Sequence, residues 1–92
     1  MAFMFARFGV QDYDAWKERF DSDPVGRKEG GAKGHQLFRS ATDPNDVFIA
    51  VEFPSADQAS SFREKLLGSG ILDDMNVKTE PTVVEAADSA EY

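Results

Sequence analysis

Two stretches of this chain carry apolar side chains on both alternating faces, and they organise the rest of the pattern. Residues 3–9 read as a strand with Phe3 and Phe5 on one face and Met4, Ala6 and Phe8 on the other. Residues 47–53, Val-Phe-Ile-Ala-Val-Glu-Phe, form the clearest strand and are again apolar on both faces for most of their length. Between them, Asp12 has the chemistry of a helix N-cap, and Tyr13, Trp16 and Phe20 recur at helical spacing. Pro24 stops that helix or opens a further short turn, and Gly30, Gly31 and Gly34 loosen the exit. Residues 35–41 read as a second, weaker strand. Asp43-Pro44-Asn45-Asp46 is a turn whose proline suits the second position. Pro54 ends the long strand, and Ser55 with Gln58 three residues on fits a capping box. Ala59, Phe62 and Leu66 then make the stripe of a second helix, broken by Gly68 and Gly70, and residues 71–75 read as a half-turn. The last strand is read from Pro81, a position an edge strand tolerates, and residues 87–92 as the frayed tail of one domain spanning 1–92.

The element order β-α-β-β-α-β predicts an α+β fold of the ferredoxin-like kind, a four-stranded antiparallel sheet with two helices on one face. Right-handed crossovers put the first and third strands in the centre, which are the two strands with apolar residues on both faces. Helices cover one face only. The aromatic residues on the other face would expose several hundred Å² in a monomer, so the pattern predicts a homodimer that buries this face by two-fold symmetry.

Composition changes the picture by exclusion. The chain has no cysteine, hence no disulfide, thiolate nucleophile or cysteine-held metal. Seventeen acidic and ten basic residues give a net charge of −7, with Lys78 the only basic group after residue 70. That balance argues against nucleic acid and anionic membranes as partners. The N-terminus lacks the basic and apolar regions of a signal peptide, apolar runs are too short to span a bilayer, and the expected location is the cytoplasm.

Asp12-Tyr13-Asp14-Ala15-Trp16 opening the first helix, Asp23-Pro24-Val25-Gly26-Arg27-Lys28 after it, and Asp43-Pro44-Asn45-Asp46 leading into the long strand together resemble the dimeric α+β barrel superfamily. The chain looks particularly like its small stand-alone antibiotic biosynthesis monooxygenase-like members. The resemblance covers residues 3–86. It implies a homodimer with a pocket between each sheet and its helices, and chemistry that ranges from cofactor-free oxygenation of polyketide phenols to cyclisation. The haem-degrading branch takes its iron ligand from a histidine of the second helix, and residues 55–67 contain none.

Formal motifs do not add an activity. Ala32 stands after Gly31 where a phosphate loop needs lysine, and Gly68-Ser69-Gly70 lacks the third glycine of a dinucleotide fingerprint. His35 is the sole histidine and the one side chain set to exchange protons near neutrality. Alternation puts it on one face with Leu37 and Arg39, either toward a helix-side pocket or toward a partner sheet. The candidate catalytic pair is therefore His35 as base and Arg39 as oxyanion stabiliser. Trp16, Tyr13 and Phe62 are candidate walls for an apolar or aromatic molecule, although the helical spacing of Tyr13 and Trp16 with Phe20 suits plain core better. Asn76, read as lying in the loop before the last strand, could position a substrate oxygen. Arg27 and Lys28 either bind an acidic substrate group near the pocket mouth or, the favoured reading, suit the helix C-terminus electrostatically.

The expectation is a cofactor-independent small-molecule enzyme, monooxygenase- or cyclase-like, acting on an apolar substrate, for which an aromatic or polyketide-like molecule is a candidate, with no cofactor or metal. The alternative is a non-catalytic dimeric binding or accessory protein with the same pocket. A closed pocket holding His35 and Arg39 favours the enzyme; a dry cavity with His35 facing solvent favours the binding protein.

Overall fold

The computed structural model describes residues 1–73 and 75–92. The elements run β1 (Ala2–Gly9), α1 (Tyr13–Asp21), β2 (Gly34–Arg39), β3 (Asp46–Phe53), α2 (Ala56–Gly68) and β4 (Asn76–Glu85). The sheet is antiparallel in the order β2-β3-β1-β4, the ferredoxin-like arrangement with the two-faced strands at its centre. No helix among the described residues is long and apolar enough to cross a membrane.

Local chemistry sets the boundaries. The Asp12 side chain accepts from the Asp14 backbone N–H, and Asn45 anchors the same helix start by accepting from Tyr13 N at 3.0 Å. Asn45 belongs to the Asp43–Asp46 turn, which closes with Asp46 N donating to Asp43 O at 3.1 Å. Ser55 caps α2 by accepting from Gln58 N at 3.2 Å; its hydroxyl also meets the Gln58 side chain, so the reciprocal half of the capping box ends on the hydroxyl.

The sheet has two unlike faces. Toward the helices it presents Ala2, Met4, Ala6 and Phe8 from β1 and Val47, Ile49, Val51 and Phe53 from β3, all buried. Phe20, Ala59, Phe62 and Leu66 from the helices complete this core. α2 lies close on β1, β3 and β4, where Ala59 lets its backbone approach. α1 stands further off, held at side-chain distance by Trp16 and Phe20. The opposite face carries Phe3 and Phe5 of β1, Phe48 and Ala50 of β3, Phe38 of β2 and Val84 of β4, aligned by the strand register. Phe38 and Val84 are 49% and 40% exposed.

One end of the open face is polar. Arg7 grips Asp46 with two hydrogen bonds of 3.0 and 2.6 Å, Lys78 approaches the same carboxylate at 3.3 Å, and the Arg7 guanidinium lies 4.7 Å over the Phe48 ring. The Arg7 hydrogen bonds, aided by Lys78, hold the Asp46 carboxyl down at about 2. A depressed carboxyl contributes stability that is complete above its unfolded value and is lost as pH falls through the folded one. Acid unfolding between about pH 4 and pH 2 is therefore expected to be shallower in Asp46→Asn than in the parent, and the variant less stable at pH 7. Urea titrations at pH 7 and pH 2.5 measure both; equal stability loss at the two pH values would remove this role.

The last strand corrects the sequence expectation. β4 begins at Asn76, five residues before Pro81, so Asn76 opens the strand opposite Gly9 and does not sit in a loop. Pro81 lies inside β4 and is buried there. It is tolerated because β4 is an edge strand and because the register against β1 slips between Phe5 and Phe8, the kind of irregularity that frees a residue from the ladder. Arg63 of α2 donates to the Pro81 carbonyl and ties the irregular stretch to the helix. β2 ends at Arg39, two residues short of the predicted limit, where Ser40 begins the turn. α1 ends at Asp21, before Pro24. The predicted 71–75 half-turn includes Asp74, which lies outside the described residues; Asp73 N donates to Gly70 O within the stretch that is described.

Candidate functional site

The stand-off of α1 leaves a cavity of about 70 Å³ between the helices and the sheet. Its floor is Met4 and Phe8 of β1 with Ile49 and Val51 of β3. Trp16 and Phe20 wall it from α1, Phe62 and Leu66 from α2. Two loops close it: Pro24 and Val25 after α1, and Ile71, Leu72 and Met75 after α2. Three charged residues, Arg19, Asp23 and Arg27, complete the lining.

The loop after α1 is pinned where it crosses the cavity. Asp23 takes a positive φ of 55° and turns its carboxylate back to accept from Arg27 N at 2.7 Å and Lys28 N at 3.2 Å. Arg27 then donates to the Phe20 carbonyl at 2.8 Å and lays its guanidinium 3.5 Å over the Phe20 ring. The predicted C-terminal role of Arg27 thus takes a specific form, capping the last turn of α1 across the intervening loop. Gly31, at φ 94°, passes the Gln58 side chain so closely that a Cβ there would lie 2.8 Å from the amide nitrogen. That approach seats the loop on α2.

The candidate residues separate. Trp16 and Phe62 line the cavity. Tyr13 packs on Trp16 at 5.9 Å between centroids but stays behind it, outside the lining. His35 lies on the helix face of β2 opposite Val51, which resolves the choice of face. It does not reach the cavity, because Phe20 stands in between with the His35 ring edge-on at 4.9 Å. Burial pushes the His35 imidazole below its ordinary value, and the nearby Arg27 and Lys17 charges push the same way. Arg39 shares that face but stacks its guanidinium 4.3 Å over the Tyr13 ring. Four residues of extended strand put His35 and Arg39 about 13 Å apart, too far to act on one carbonyl or phenol. Asn76 opens β4 beside Gly9, next to Met75 of the lining but not part of the lining itself.

Sequence reasoning missed most of the lining. Met4, Ile49, Val51 and Leu66 are legible as apolar, but nothing in their spacing marks a gap between the layers rather than a filled core. Val25, Ile71, Leu72 and Met75 are apolar residues in glycine-flanked loops, and that was the available signal: loop residues rarely need so much hydrophobicity unless they close over something. Among the described residues no cluster of three or more histidine, aspartate or glutamate side chains is arranged to hold a metal ion.

No family model matches this chain, and no curated protein matches it either. Among solved structures it is similar to Rv0793 from Mycobacterium tuberculosis, with a TM-score of 0.64 and 17% identity over 98% of each chain. At that identity the likeness is one of fold, end to end.

Proposed function

We propose that this chain is a dimeric small-molecule-binding protein of the α+β barrel type, which takes a small apolar molecule between its sheet and its helices. The observation that carries the reading is the cavity: its lining is apolar but for Arg19, Asp23 and Arg27, and the one histidine is outside it. Its 70 Å³ is roughly half the volume of an engineered cavity, about 150 Å³, that admits benzene. A single ring partly inserted, or a short alkyl chain, fits that space; a fused polyketide would require the loops to part. Pockets of this kind draw affinity from apolar contact and take orientation from a few polar groups at the rim.

Trp16 is the sole tryptophan and lines the cavity, so its fluorescence reports occupancy. Toluene or indene titrated into the full chain is expected to shift that emission saturably. Leu72→Phe adds bulk at the closing loop without adding a second indole, and is expected to abolish the shift. Absence of saturable binding by any single-ring or short-chain probe would remove the reading.

The enzyme reading is second, supported by one feature: burial and the Arg27 and Lys17 charges lower the His35 pKa, which favours the form that accepts a proton, and the ring packs on Phe20, itself part of the cavity wall. The two readings part at His35→Ala. In a binding protein the change leaves probe affinity within about twofold, since the ring touches no ligand. In an enzyme, turnover of a true substrate falls by ~10²–10⁴. Retained binding with no product from an aerobic incubation would leave the binding protein as the answer.

A further inference from the structure

The rim of the cavity carries more information about the ligand than its walls. Three charged residues reach the lining, and two of them are fully engaged. The Asp23 carboxylate is taken by two backbone N–H groups and by Arg27 at 3.5 Å, and the Arg27 guanidinium is taken by the Phe20 carbonyl, the Phe20 ring and Asp23. Arg19 is different. It stands in the last turn of α1 on the edge of an otherwise apolar opening, exposed, and its guanidinium has no ion pair, hydrogen bond or aromatic partner among the described residues. The Asp21 carboxylate two residues on is taken by Lys17 at 2.7 Å.

From this we infer that the ligand is an amphiphilic carboxylate, a short aryl- or alkyl-carboxylic acid whose apolar end enters the cavity and whose carboxylate meets Arg19 at the mouth. The inference rests on the reading of the cavity as a ligand site and adds the charge and polarity of what enters it. A planar guanidinium offers two parallel N–H donors to a carboxylate, a geometry that a neutral alcohol or amide matches less well and an ammonium group not at all. The size agrees: a ring partly inserted, with a two- or three-atom tether, leaves the carboxylate outside the apolar space where Arg19 can meet it. The net charge of −7 does not oppose this, because at physiological ionic strength distant charges are screened beyond about 8 Å and the nearest cation decides.

The test compares 3-phenylpropanoate with 3-phenylpropanamide, which share the ring and tether and differ in charge. Binding to the full chain is followed by Trp16 fluorescence and by the methyl resonances of Met4, Leu66 and Met75, which line the cavity floor, wall and lid. The acid is expected to bind about tenfold more tightly than the amide, the scale of one charge-assisted hydrogen bond at a wet rim, and to weaken as salt is raised. Arg19→Gln should erase the difference by lowering acid affinity about tenfold while leaving amide affinity unchanged. Arg19→Lys should restore part of it. If acid and amide bind the parent equally, or if Arg19→Gln leaves the preference intact, the carboxylate inference is overturned while the cavity remains a ligand site. If the acid binds without moving the three methyl resonances, it binds elsewhere and the inference is likewise overturned. If neither compound binds, the reading of the cavity itself fails.

Discussion

Ala6→Asp is expected to leave the protein unfolded at room temperature. Ala6 has no exposed surface and sits in the middle of β1, a central strand between β3 and β4, paired with Ile49 of β3 and facing the helices. Its cross-strand neighbour Ile49 is buried, and the flanking helix-side residues of its own strand are Met4 and Phe8. A carboxylate there meets no cation, and its bulk has no space to enter. Burying an uncompensated charge costs several kcal/mol even after relaxation, and overpacking a dense core adds ~1–3 kcal/mol. Domains of this size hold a total stability near the lower end of about 5–15 kcal/mol, so the two terms together exceed what is there. Far-UV circular dichroism and a urea titration decide the matter: a cooperative transition with native ellipticity at zero denaturant would show that the helix face of β1 is not the core.

The alternation that makes Ala6 so sensitive was readable directly. Strands β1 and β3 are apolar on both faces in the sequence, and a fold with helices on one side must put such strands in the middle of the sheet. β4 was readable only from Pro81 onward, because Asn76-Val-Lys-Thr-Glu alternates weakly and a proline reads as a boundary. What lets the strand start earlier is non-local: a slipped register opposite Arg7 and an Arg63 side chain waiting for the Pro81 carbonyl. The site was legible in the same partial way. Periodicity picked out Trp16 and Phe62, since residues on the apolar stripe of a helix must face the sheet. It selected His35 and Arg39 for their chemistry and assigned them a common face. Depth it could not assign. At the outer strand β2 that face lies under Phe20 and Tyr13, whose rings occupy the space between those two side chains and the cavity.

Phe5→Asp, one residue away on the same strand, is expected to give the opposite outcome: a folded monomer in place of a dimer. Phe5 lies on the open face between Ala50 and Thr82, with Phe3, Phe48, Phe38 and Val84 on the same surface. The chain exposes 6025 Å² and measures 37 × 32 × 20 Å, whereas the scaling of monomeric proteins gives roughly 5,300 Å² for 10.2 kDa. Part of the excess belongs to the exposed residues after β4; the rest is what a flat, one-sided sheet leaves in water. A second copy is the cover we propose, because the face is self-complementary in the way a two-fold axis requires. It has an apolar centre and carries both signs of charge, Arg7 and Lys78 beside Asp46 at one end and Glu52 at the other. Stable dimers bury about 1,200–2,000 Å² in total, the area that a second copy on this face would have to cover. A carboxylate at Phe5 would place two unpaired charges near the axis of such an interface, at several kcal/mol each, while costing the solvated monomer only about 1 kcal/mol of strand propensity. Light scattering over a dilution series should give about twice the chain mass for the parent and the chain mass for Phe5→Asp, with matching circular dichroism. Phe5→Thr, which keeps a β-branched residue in the strand, should fall between them, with a weakened dimer that dissociates within the micromolar range. A parent protein that is monomeric at micromolar concentration, or a Phe5→Asp variant that dimerises as tightly as the parent, would place the contact elsewhere and leave the open face without its proposed partner.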